Sequence, residues 1–200
     1  AEQLHCPLIV LHPGGRAGHT LSHARRLIRL AMKELAPIAE SAGVMLALKP
    51  AKDEASFLTT LTESLDVVNS SGSTNVGLAV DLWSFSEELL SLENKMPVIE
   101  RMKIVSVADR ICNASLGHER LPPGTGNLPL SHLLYLLHES GYSGDIEFDP
   151  IGETVAEMGY EELLASVRRY VDQLQSDMNV IETDRLKNEL PAPLAKAFFR

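Results

Sequence analysis

Side chains that can do chemistry recur at one kind of place in this sequence, directly at the end of a short apolar run. His12 closes PLIVLH (Pro7 to His12), Lys49 closes VMLALK (Val44 to Lys49), and Asp81 closes VGLAVD (Val76 to Asp81). Asp109 closes KIVSVAD (Lys103 to Asp109), and Asp149 closes DIEFD (Asp145 to Asp149). Carboxylates accept protons and bind cations, imidazole does either or donates, and an ammonium only donates. His12 precedes Pro13-Gly14-Gly15, where imidazole and backbone amides could face a ligand, or the ring could be a hydrogen-bonded structural histidine. Arg120 stands ahead of Pro122-Pro123-Gly124-Thr125-Gly126 and is the best candidate for gripping a carboxylate or phosphate, with a plain loop salt bridge as the alternative. Asp109 and Glu119 could form an acid/base pair, although separate loops carry them. His19 and His23 lie four apart without an HExxH pattern, which favours solvated histidines over a metal pair. No Gly-Lys-Ser/Thr follows the glycines of 124–126, and no Gly-x-Ser-x-Gly elbow occurs.

The elements that must position these groups follow from periodicity. Each apolar run is followed by a polar or Gly/Pro stretch and then by a segment of helical period, the pattern of strand-helix units around a parallel sheet. Strand ends fall roughly 30 to 40 residues apart, as expected for eight units sharing about 250 residues. Helices are expected over Thr20 to Ala42, with Pro37 as a kink or break, and over Phe57 to Val68. Ser86 to Leu92, Pro97 to Met102, Leu128 to Glu139 and a long segment from Gly159 complete the set. Arg25, Arg26, Arg29 and Lys33 are expected on a solvated helix face. Five strands plus a short candidate at His118 to Gly126 fall two short of eight. The first two units are therefore expected outside this chain or from another chain, with the barrel over 1–176 and an extension over 177–200.

Composition narrows the partners. The chain has 200 residues, 44% hydrophobic and 22% charged, enough apolar material for a sizeable core. A net charge of -9 excludes a general polyanion binder, and 5% aromatic residues leave little for base stacking, so nucleic acid is not expected. No apolar run is long enough to cross a membrane and no basic-then-apolar leader opens the sequence, so a soluble cytoplasmic protein is expected. Cys6 and Cys112 form no CxxC or Cys/His cluster and are expected as reduced core thiols. The tail past Ser176, broken at Pro191 and Pro193 and ending in Phe198 and Phe199, is expected to pack on the barrel or to join a second subunit into a homo-oligomer.

Six motifs in order, from His12 to Arg169, resemble the xylose-isomerase-like TIM barrels, the superfamily of sugar isomerases, epimerases and AP endonucleases. They are LIVLHPGG, LAPIAESAGVMLALKP, NVGLAVDLWSF, IVSVADR, HERLPPGTGNLPL and GYSGDIEFDP. The resemblance implies an α/β (β/α)8 barrel with its site at the C-terminal mouth. It also implies carboxylates and histidines around a divalent ion, Mn, Mg or Zn, that polarises a carbonyl. Most of those positions are altered: the fourth-strand glutamate is Lys49, two histidines are Ser84 and Ser106, and the last-strand glutamate is Asp149. Asp81 and His12 stand unchanged, so any retained metal would fall to Asp81 and Asp149. The expectation is a barrel with a degenerate metal site and no cofactor, binding a small sugar or sugar phosphate at its mouth. An active metal-dependent isomerase or epimerase and a non-catalytic interaction protein remain the alternatives. Lys49 is expected in the vacated site, paired with Asp81 and Asp149, with ligand anchoring or amine catalysis as its other roles. Trp83 could stack on a sugar ring or lie in the core.

Overall fold

Short apolar runs alternate with amphipathic segments, and they fold accordingly into β1 (Leu8–Leu11), α1 (Leu21–Ser41), β2 (Met45–Leu48), α2 (Leu61–Ser70), β3 (Val76–Asp81) and α3 (Leu82–Ser91). There follow α4 (Met96–Ile99), β4 (Met102–Val107), α5 (Leu130–Glu139), β5 (Asp145–Phe148), α6 (Glu153–Met158) and α7 (Tyr160–Glu189). The computed structural model describes residues 5–111 and 119–189, with side chains described up to residue 181. The strands form one parallel sheet in the order β1-β2-β3-β4-β5, an open half-barrel in which neighbours in sequence are neighbours in space. Every crossover carries a helix, the connection a parallel pair requires.

Burial is deepest at the middle of the sheet. All six residues of β3 are buried, and Leu48, Val80, Val105 and Val107 are fully covered between sheet and helices. Leu61, Phe85, Leu89, Leu133 and Leu137 supply the helix side of the same core. The two outer strands are less covered, with Ile9 37% exposed on β1 and Ile146 44% exposed on β5. Asn75 ties the layers together, donating from Nδ2 to the Ala36 and Val44 carbonyls.

Helix starts are set by local chemistry. Thr20 caps α1 by accepting from the His23 amide, and Thr60 caps α2 by accepting from the Glu63 amide. That second cap explains why α2 begins at Leu61 and not at Phe57: Phe57 and Leu58 are buried in the loop ahead of it. α1 runs through Pro37 without a break. α6 was not foreseen, and the segment proposed as a strand at 118–126 forms only isolated bridges, Leu121 with Asp109 and Arg120 with Ile151, its first residue lying outside the described ones.

Two expectations are corrected. Cys6 is exposed and not a core thiol, while Cys112 lies outside the described residues. Arg25 is not merely solvated, because it pairs with Glu63 and joins α1 to α2. Ala24, Met32, Ala36 and Ala39 form the buried stripe of α1, leaving Leu30 half-exposed and Ile38 largely so, while Arg26 and Lys33 are in solvent as expected. α7 crosses residue 176 without interruption, and no described helix is long and apolar enough to cross a membrane.

Candidate functional site

The C-terminal ends of β3, β4 and β5 bring the predicted polar residues together. Asp81 is both the last residue of β3 and the N-cap of α3, its Oδ1 accepting from the Trp83 amide at 3.1 Å and its Oδ2 from the Ser84 hydroxyl at 2.8 Å. A carboxylate at a helix N-terminus is favoured by the dipole as well as by those bonds. Asp149 follows β5, and Arg120 comes up from the loop after β4 to lie between the two.

Arg120 holds both carboxylates. Its Nη1 and Nη2 bond Asp81 Oδ2 and Oδ1 at 3.0 and 2.8 Å in a bidentate fork. Nη2 also reaches Asp149 Oδ1 and Oδ2 at 2.8 and 2.7 Å, and Nε donates to the Asp149 carbonyl at 3.3 Å. Burial disfavours the charge on Arg120, but the bonds to Asp81 and Asp149 outweigh it and raise the guanidinium above its ordinary value. Asp149 moves the other way from a simple ion pair: burial lifts its carboxyl above the usual range, and Arg120 recovers only part of that. The geometry and the sharing explain the difference, since one cation serves two carboxylates that also repel each other.

The pairing expected of Lys49 therefore belongs to Arg120. Lys49 Nζ instead donates to Ser106 Oγ at 3.2 Å, and Ser106 Oγ donates to Glu147 Oε2 at 3.1 Å. Lys49 acts on Asp149 through its field alone, and no ion pair of Lys49 occurs among the described residues. Glu147 was missed in the sequence. The signal was there, because DIEFD alternates carboxylate and apolar residues and puts Asp145, Glu147 and Asp149 on one face of the strand.

Asp109 is structural. Its Oδ1 accepts from the Arg110 and Leu128 amides at 2.8 and 3.0 Å, and its Oδ2 from the Gly124 and Gly126 amides at 3.0 and 2.9 Å. Gly126 is required there, since a Cβ would strike the Asp109 carboxylate and the Arg110 carbonyl. Asp109 and Glu119 form no acid/base pair: Glu119 is committed to the Thr154 hydroxyl, a bond that holds its carboxyl below the usual range.

Trp83 is half-buried beside the clamp, fixed by a 3.0 Å bond from Nε1 to the Glu119 carbonyl. Arg120 and Arg110 lie 5.4 and 5.7 Å from its ring centre, within cation-π range. A hollow of about 620 Å³ opens next to it, lined by Lys52, Asp53, Trp83, Ser84 and Arg110. His12 is exposed just past the end of β1 and is not among the partners of Arg120, Asp81 or Asp149. His19 and His23 stack at 4.6 Å, and among the described residues no three His, Cys, Asp or Glu side chains converge in a way that could hold a metal ion.

A parallel sheet wound with outer helices, its polar side chains gathered at the C-terminal strand ends, defines the class of α/β barrels. Within that class the chain belongs to the xylose isomerase-like TIM barrel family, whose model matches residues 1–170. It is 24% identical over 190 residues to the inosose isomerase of Halalkalibacterium halodurans, covering 92% of this chain and 67% of that protein. Among solved structures it resembles the IolI protein with a bound zinc atom, at a TM-score of 0.72 and 21% identity, over 88% of this chain and 66% of that one. It also resembles a D-tagatose 3-epimerase-like protein, at a TM-score of 0.68 and 20% identity, over 90% and 66% of the two chains. The chain thus spans about two thirds of the length of these relatives.

Proposed function

We propose that this chain is a sugar isomerase/epimerase-like barrel protein that takes a small sugar or sugar-phosphate-like ligand at the open end of its strands, with Arg120 in place of a divalent ion. The relatives' names, an inosose isomerase and an epimerase-like protein, support the ligand class. The Arg120 clamp carries the rest. A divalent ion needs several deprotonated oxygen or imidazole ligands at about 2.0 to 2.6 Å. Here both oxygens of Asp81 and both of Asp149 already accept from Arg120. The other altered positions offer two neutral hydroxyls, Ser84 and Ser106, and the cation of Lys49. That donor set does not fit the ion. A guanidinium cannot lose its proton at ordinary pH and is part of the chain, so its single positive charge stays between the two carboxylates and cannot exchange as a metal would.

One observation favours a second reading, an active metal-dependent isomerase: the IolI structure carries zinc. The extension at 177–200, reached through α7 with Val180 and Ile181 exposed, is proposed as a place for copies to associate. Melting curves in EDTA, with and without a panel of sugars and sugar phosphates, test the main reading. At least one ligand should raise the melting temperature by mass action. A rise that appears only when a divalent ion is added back would favour the second reading.

A further inference from the structure

The clamp leaves a second polar group at the mouth, and its chemistry bears on which sugar the proposed site takes. Asp81, Ser106 and Glu147 are direct register partners across β3, β4 and β5, so their side chains project to one face in a row. Asp149, two residues beyond Glu147, shares that face. Arg120 engages Asp81 and Asp149, whereas Lys49, Ser106 and Glu147 form their own chain alongside. Ser106 is buried and saturated as a donor, receiving from Lys49 and giving to Glu147. It occupies one of the three donors of Lys49 and one of the two oxygens of Glu147. The remaining capacity is a pure donor beside a pure acceptor.

A hydroxyl both donates and accepts, so two adjacent oxygens of a polyol, or a carbonyl next to a hydroxyl, satisfy that pair at once. A phosphate group above its second pKa, about 6 for an ester, only accepts, so it matches Lys49 but not Glu147. It would also meet Asp81, Asp149 and Glu147, three carboxylates that outnumber the cations Arg120 and Lys49 among them by one charge, while Arg110 and Lys52 already face Glu87 at 2.6 Å and Glu88 at 3.4 Å. We propose that Lys49 and Glu147, spaced by Ser106, form a subsite for adjacent oxygens of an uncharged polyol or ketose, and that this row discriminates against phosphorylated sugars. The inference rests on the proposed ligand-binding reading and narrows its substrate class.

Calorimetric titration of the protein in EDTA, with myo-inositol, D-tagatose, D-fructose 6-phosphate and inorganic phosphate as probes, tests it. An uncharged probe should bind at least about tenfold more tightly than either phosphate. Lys49→Met and the isosteric Glu147→Gln should each weaken that binding about tenfold, the loss of one hydrogen bond to a charged group. Both side chains are at least partly exposed, and circular dichroism should show both variants folded as the parent. Tighter binding of a phosphorylated probe, or uncharged binding that survives both substitutions, overturns this inference and leaves the general ligand-binding reading standing. Heat from none of the four probes, with no melting shift from any sugar, overturns both.

Discussion

Asp109 and Asp81 stand at the ends of neighbouring strands, and both are nearly inaccessible to solvent, yet the chain quiets their charges by different means. Asp109 is wrapped by four backbone amides from its own loop, Arg110, Gly124, Gly126 and Leu128. Asp81, which also caps α3 through the Trp83 amide and the Ser84 hydroxyl, shares with Asp149 one cation, Arg120, that arrives from 39 and 29 residues away. A carboxylate held by main chain is part of the loop's architecture and can do little else. One held by a side chain is a site whose character rests on one residue, and changing that residue changes what the site can hold.

Breaking the side-chain partner should have the largest effect. Arg120→Leu leaves a buried carboxylate, Asp81, facing a partly exposed one, Asp149, and chemical denaturation should show a loss of about 3 kcal/mol, the lower end of the range for buried pairs stripped of one member. Divalent ions should recover part of that loss, since Asp81 and Asp149 then face each other without the cation between them. Arg120→Lys keeps the charge but loses the fork, and should lie between the parent and Arg120→Leu. On the other side of the comparison, Asp109→Asn turns one acceptor oxygen into an amide that confronts backbone donors. It should cost about 2 kcal/mol by the same measurement, and divalent ions should not restore it.

Local chemistry explains what could be seen in advance. All five strands were legible: four are short Val/Ile/Leu-rich runs bounded by breakers, and β5 alternates carboxylate and apolar residues. The strand-end location of Asp81, Asp109 and Asp149 was legible for the same reason. Which cation meets which carboxylate was not. Lys49 and Arg120 are both plausible partners for Asp81 by charge, and only the path of the loop after β4, closed by the bridges of Asp109 with Leu121 and Arg120 with Ile151, decides for Arg120. The role of Asp109 was hidden too, since its four partners are backbone amides that carry no sequence signature. Glu147 was visible in the alternation of DIEFD but was passed over for the strand-terminal Asp149.

A smaller effect should appear in the pH dependence. The folded state raises the Asp149 pKa above its ordinary value, so it binds that proton more tightly than the unfolded chain does. Its contribution to stability is then greatest below the unfolded value of about 3.9 and declines as pH rises through the raised folded one. In Asp149→Asn the melting temperature should fall less steeply with rising pH across that window than in the parent, read from melting curves at closely spaced acid pH values.

The central claim is that a guanidinium occupies the place of an ion between Asp81 and Asp149. Calorimetric titration of the parent protein with Mn, Mg and Zn ions, preceded by elemental analysis of the protein as purified, tests it most directly. The account predicts less than one equivalent of any divalent metal on purification and no saturable binding in the titration. One equivalent bound tightly, and lost in the double variant Asp81→Asn with Asp149→Asn, would contradict it.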